Sequence, residues 1–158
     1  MTRTLLLLAL SLTCCPLAAQ DTTGLTKAAV SRLLAQTEAA VRRHDANMVM
    51  AAFSTDARIT VVAPARLGGT QQFSASQYRE VMIQNWRAYT GLSYEVSNIV
   101  ITVAADGQSA TASDTVTEKG ELYGRPVSSV SHERMSIVLQ VGKPRIASLY
   151  ATVSAKGF

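Results

Sequence analysis

HDANMVMAAFSTDARITVV, residues 44–62, contains the change of period that decides the fold. Asp45 has the form of a helix N-cap, and Ala46 to Phe53 behind it reads as a short helix whose Met48, Val49 and Ala52 can pack on a preceding helix. After Ser54-Thr55-Asp56 the pattern switches to Arg58-Ile59-Thr60-Val61-Val62, a strand that stops at Pro64. Helical spacing lies upstream of this handover and strand spacing mostly downstream of it.

Upstream, Leu25, Ala29, Val30, Leu33, Leu34 and Val41 recur at three- and four-residue steps with no Gly or Pro inside, so residues 25–44 read as an amphipathic helix. Arg42-Arg43 near its end suits the negative pole of the helix dipole. Downstream, the segment from Pro64 to Phe73 with Gly68-Gly69 is a loop with room for a short hairpin strand. Ser74-Ala75-Ser76-Gln77 has the form of a capping box and opens a third helix to about Tyr89, with Tyr78, Met82, Ile83 and Trp86 toward one side and Gly91 as its stop. The remainder reads as strands over 93–104, 109–118, 123–140 and 145–153, with turns at Asp106-Gly107, near Gly120 and at Gly142-Lys143-Pro144. The expectation is an α+β domain, three N-terminal helices packed on a curved antiparallel sheet.

The first residues, MTRTLLLLALSLTCCPLAAQ, join a basic Arg3 to an apolar run and end on Ala18-Ala19, the form of a cleavable export signal over residues 1–19. The expectation is an exported protein, periplasmic or secreted, with a single domain over residues 20–158. Pro16 and the polar QDTTG end the apolar run short of a membrane span. Both cysteines, Cys14 and Cys15, fall in the signal, which leaves the domain no disulfide and no thiolate ligand. The residue before either cysteine is Thr13 or Cys14, not the small residue usual before a lipidated cysteine. Fifteen Lys+Arg against 11 Asp+Glu give a formal charge of +4, but the cations are scattered, so no nucleic-acid partner is expected. His44 and His132 have no His or Cys at ligand spacing, so no metal is expected, and no phosphate loop or other cofactor motif appears.

The segment His44-Asp45-Ala46-Asn47 through Ala51–Ile59, and Asp106-Gly107-Gln108-Ser109-Ala110-Thr111-Ala112 further on, resemble the nuclear-transport-factor-2-like superfamily. The resemblance covers nearly the whole domain and implies a cone in which the sheet curls around a long helix and leaves a pocket. Ketosteroid isomerases, SnoaL-like polyketide cyclases, scytalone-dehydratase-like enzymes and binding modules without a reaction share that fold, so the fold does not decide the chemistry. In the isomerase pattern a carboxylate base stands on the first strand and a tyrosine on the first helix. Alignment on Asp45 and Asp56-Ala57 puts Val61 and Thr37 at those positions, and a valine takes no proton.

His132-Glu133-Arg134 is the one cluster of three ionisable types. Along a strand His132 and Arg134 share one face and Glu133 shares the other with Met135, Ile137 and Leu139. If the apolar set is concave, Glu133 is the pocket carboxylate; if the sheet is turned over, His132 and Arg134 enter and an anionic ligand fits. Trp86, Tyr78, Tyr89 and Tyr150 are core or pocket-wall aromatics. Asp56 is expected to bond backbone donors in a turn, and Asp114, in a small-residue strand, to face solvent. The leading expectation is an exported, cofactor-free module binding a small apolar or amphipathic ligand in a pocket built from Thr37, Val61, Trp86, Glu133, Arg134 and Tyr150. The alternatives are an isomerase, dehydratase or cyclase using Glu133 or His132 as proton carrier, and a homodimer formed through the sheet face of Ser109, Thr111, Ser113 and Thr115.

Overall fold

The structure is a computed structural model that describes residues 24–157. The segment expected to be an export signal, residues 1–19 with Arg3, Cys14 and Cys15, lies outside the described residues. In chain order the elements are α1 (Lys27–Arg42), α2 (Ala46–Met50), β1 (Phe53–Val62), a 3-10 turn (Ala65–Leu67), β2 (Thr70–Ser74), α3 (Ala75–Ala88), β3 (Tyr89–Val103), β4 (Ser109–Leu122), β5 (Arg125–Gln140) and β6 (Lys143–Lys156). Among the described residues no helix is long and apolar enough to cross a membrane.

Each helix starts where a side chain satisfies its free N–H groups. Thr26 Oγ1 accepts from Ala29 N at 3.1 Å, and Asp45 Oδ1 from Met48 N at 3.0 Å. At α3 the box is reciprocal: Ser74 Oγ accepts from Gln77 N at 3.3 Å, and Gln77 Oε1 accepts from Ser74 N at 2.9 Å. The second helix is shorter than its pattern predicts, ending at Met50, because the strand takes over at Phe53 and leaves Met48 exposed.

The six strands form one sheet in the order β2-β1-β6-β5-β4-β3. One expectation changes here. β1 and β2 come before α3, in the order the sequence pattern predicts, but the sheet is not wholly antiparallel, since β1 runs parallel to β6. The parallel pair arises because β1 inserts beside the last strand, on the far side of the meander. Helix α3 touches β2 and β3, the two edge strands of the sheet. The sheet curls around α1 and α3, so that residues of β1, β3, β4, β5 and β6 line one cavity with residues of both helices. Register shifts in β3 between Thr90 and Ser93 and between Ser97 and Val100 supply local bends.

Gly91 does not stop α3, as its position predicts. Ala88 is the last helical residue, and Gly91 sits inside β3 at φ +60° beside the first of those shifts. Gly120 likewise makes no turn: it lies within β4, where a Cβ would meet Thr90 O at 3.1 Å, so it permits a close backbone approach. The core joins Val30 of α1 to Ile59, Ile137 and Ile146 of the sheet, all essentially inaccessible.

Candidate functional site

Between the helices and the concave face of the sheet lies a cavity of about 470 Å³, within the usual range for small-molecule sites. Its roof is mainly apolar, with Leu34 and Val41 from α1 and Met82 and Trp86 from α3 beside the polar Thr37, Glu38 and Asn85. Its floor is set by strand alternation. In β4 the buried Ala110, Ala112 and Val116 fix the inward parity, and Asp114 and Glu118 share it. In β5 the buried Met135 and Ile137 do the same for Ser129, Ser131 and Glu133.

Register then assembles two polar rungs. Asp114 stands opposite Glu133, which stands opposite Ala151, which pairs with Val61. The second rung runs from Tyr94 to Glu118 to Ser129 to Ala155. Directly paired residues on one face have Cβ atoms about 5 Å apart, a spacing at which like charges repel. Two carboxyl groups therefore face each other inside the cavity.

Burial penalises the charge of both. The Glu133 carboxyl is pushed from its ordinary 4.5 up to about 8, first by burial and then by the charges of Asp114 and Glu118, against a small lowering by Ser131. Ser131 Oγ donates to Glu133 Oε1 at 3.4 Å. Burial, and then Glu38, pushes Asp114 from 3.8 to about 6, and its Oδ1 is buried without a hydrogen-bond partner. Glu118 is raised by burial and partly held down by Ser129, whose Oγ donates to Glu118 Oε2 at 3.2 Å. Burial and then the Glu133 charge raise Tyr78 and Tyr94. At neutral pH Glu133 is thus largely protonated and can donate a hydrogen bond, while Asp114 is largely ionised and accepts.

Of the residues singled out in the sequence, Thr37, Val61, Trp86 and Glu133 line this cavity. The Thr37 hydroxyl donates back to Leu33 O at 2.9 Å, so it offers only lone pairs inward. Arg134 and Tyr150 do not line it. They pair with each other across β5 and β6 on the outer face, where Tyr150 is half exposed. His132 is on that outer face too, its Nδ1 3.3 Å from Thr115 Oγ1. Asp56 is exposed within β1 and not in a turn. Asp114 is the reverse correction, since it faces the cavity and not solvent. Sequence reading did not single out Glu118, Tyr94, Ser129 or Ser131. The parity signal was available in Ala110-x-Ala112-x-Asp114-x-Val116-x-Glu118, where the small apolar residues mark the inward face.

No protein-family model matches this chain, and no curated protein matches it by sequence. Solved structures do match. One is a proposed aromatic ring hydroxylase from Novosphingobium aromaticivorans, 17% identical with a TM-score of 0.66 over 82% of this chain and 92% of that one. A second is a proposed scytalone dehydratase from the same organism, 13% identical with a TM-score of 0.66 over 83% and 86%. A third is hexachlorocyclohexane dehydrochlorinase LinA-type3 from Novosphingobium barchaimii, 14% identical with a TM-score of 0.64 over 80% and 85%. With helices clasped by a curled sheet around a cavity, and with these structures superposing over most of its length, the chain has the nuclear-transport-factor-2-like fold.

Proposed function

We propose that this chain is an exported small-molecule-binding domain whose cavity takes an amphipathic ligand. The observation that carries the reading is the cavity of about 470 Å³ with a mainly apolar roof over a two-rung polar floor. A ligand with one apolar and one polar end satisfies both surfaces, and burial of its apolar part supplies the driving force. The test is native mass spectrometry of the protein purified from its own host, compared with the same protein refolded from denaturant. A discrete added mass that disappears on refolding is expected; identical masses from both preparations would sink the carrier reading. The same spectra test export, because cleavage after Ala19 leaves a chain beginning at Gln20. They also test a homodimer through the outer face of Ser109, Thr111, Ser113 and Thr115, as a concentration-dependent doubling of mass.

A second reading is general acid–base catalysis, favoured by the facing Asp114 and Glu133. Two carboxyl groups held at about 6 and about 8 divide the work of acceptor and donor near neutral pH. The dehydratase and dehydrochlorinase among the similar structures are named for eliminations, in which a base takes a proton from carbon as a leaving group departs. Here the Asp114 carboxylate would accept that proton and Glu133 would donate to the leaving group. A bell-shaped pH–rate profile that loses its alkaline limb in Glu133→Gln is expected of any elimination the protein catalyses; turnover that persists unchanged in that variant would remove Glu133 from the chemistry.

A further inference from the structure

The described residues lining the cavity include four carboxyl side chains, Glu38, Asp114, Glu118 and Glu133, and no Lys, Arg or His. Glu38 is at the rim and already paired, with Arg42 Nη2 2.8 Å from its Oε1. The other three have no cation among the described residues. Glu118 and Glu133 each accept one serine hydroxyl, and Asp114 Oδ1 is buried with no hydrogen-bond partner. A carboxylate oxygen in that state loses its hydration without compensation, and its direct cross-strand neighbour is a second carboxyl. The same cavity is walled by Tyr78, Tyr94 and Trp86, whose ring faces attract cations.

From this juxtaposition we infer that the ligand is an amphipathic organic cation, with its ammonium at the Asp114–Glu133 rung and its apolar part beneath α1 and α3. The inference rests on the binding reading above and specifies the chemical class of the ligand. An anion would meet uncompensated carboxylates. A neutral ligand would leave the Asp114 carboxylate without a counter-charge. A bare metal ion fits poorly, since among the described residues no three His, Cys, Asp or Glu side chains are grouped to hold one. It would also leave the apolar roof unused.

Binding a cation favours the ionised carboxylates, so it must release protons, and affinity must rise with pH. The groups that set this dependence are Asp114 and Glu118 on β4, Glu133 on β5, Tyr94 on β3, Tyr78 on α3 and the Arg42-paired Glu38 on α1. β1 and β6 present only apolar side chains at that rung, Val61 and Ala151.

Three probes on one scaffold test the inference by isothermal titration calorimetry between about pH 5.5 and 8.5: 4-phenylbutylammonium, 4-phenylbutan-1-ol and 4-phenylbutyrate. The amine keeps its charge throughout, its pKa being about 10, as for lysine. The expected result is ammonium binding about tenfold or more tighter than the alcohol at the alkaline end. Its affinity should climb with pH, with proton release visible as a dependence of the heat on buffer. The ratio of ammonium to alcohol affinity should fall to near one in Asp114→Asn/Glu133→Gln. Alcohol or carboxylate binding as tightly as the ammonium, or ammonium affinity that falls with rising pH, would overturn the cation while leaving the binding reading intact. If none of the three binds, both fall.

Discussion

At the scale of the residue, the pair Asp114 and Glu133 has consequences for folding that do not depend on any ligand. The folded state holds the Glu133 proton more tightly than the unfolded chain does, with a midpoint of about 8 against 4.5. By linkage, the stabilisation is complete below about 4.5 and is lost as pH rises toward about 8. Asp114 adds a smaller loss between 3.8 and about 6. Calorimetric melting temperatures of the wild type should therefore fall across this window, by on the order of a few kcal/mol in stability. Glu133→Gln, which cannot ionise, should flatten the curve and melt higher than wild type near pH 8. A wild-type curve flat from pH 5 to 8 would show that the carboxyl is solvated. Asp114→Asn removes a neighbouring negative charge, so the Glu133 midpoint should drop, as a carboxyl-carbon NMR titration would show.

At the scale of the element, the ends and turns follow local rules with two informative exceptions. Val141 and Tyr123 occupy the first position of two-residue hairpin loops at φ 49° and 54°, each followed by a glycine at positive φ. A β-branched residue is strained there by roughly 1–2 kcal/mol, and Val141 has no packing to lose, being 96% exposed. Val141→Asn should therefore stabilise the protein by about 1 kcal/mol, whereas Ser74→Ala, which breaks the α3 capping box, should cost about 1 kcal/mol. Urea denaturation midpoints measure both. The turn expected near Gly120 lies at Tyr123-Gly124; a glycine can mark a turn or a close approach of two backbones. Only the packing of β4 on Thr90 and Leu92 distinguishes them.

At the scale of the whole molecule, the cavity lies where α1 and α3 cover the concave face of one sheet. The curl keeps the middle strands concave and directs every second residue of β4 and β5 into an enclosed space. The cost is a core that is not filled. Leu34 of α1 lines this space while Val30, one turn earlier, is fully buried in the packed core. Leu34→Ala should thus destabilise less than Val30→Ala, although it removes the larger side chain, because it enlarges an existing cavity instead of opening one. Equal losses in chemical denaturation would mean that the cavity closes in solution.

By itself, the sequence determined the α+β class, the starts of the second and third helices at Asp45 and Ser74, and the alternation that groups Glu133 with Met135 and Ile137. These depend on contacts between residues a few positions apart, and such contacts leave periodic marks. Which face of β5 is concave, the parallel seating of β1 beside β6, and the meeting of Asp114 with Glu133 were decided only in the tertiary structure. Strand register and sheet curvature are set by pairings between residues distant in the chain. A carboxylate in an alternating strand looks the same from sequence whether its face meets water or a cavity.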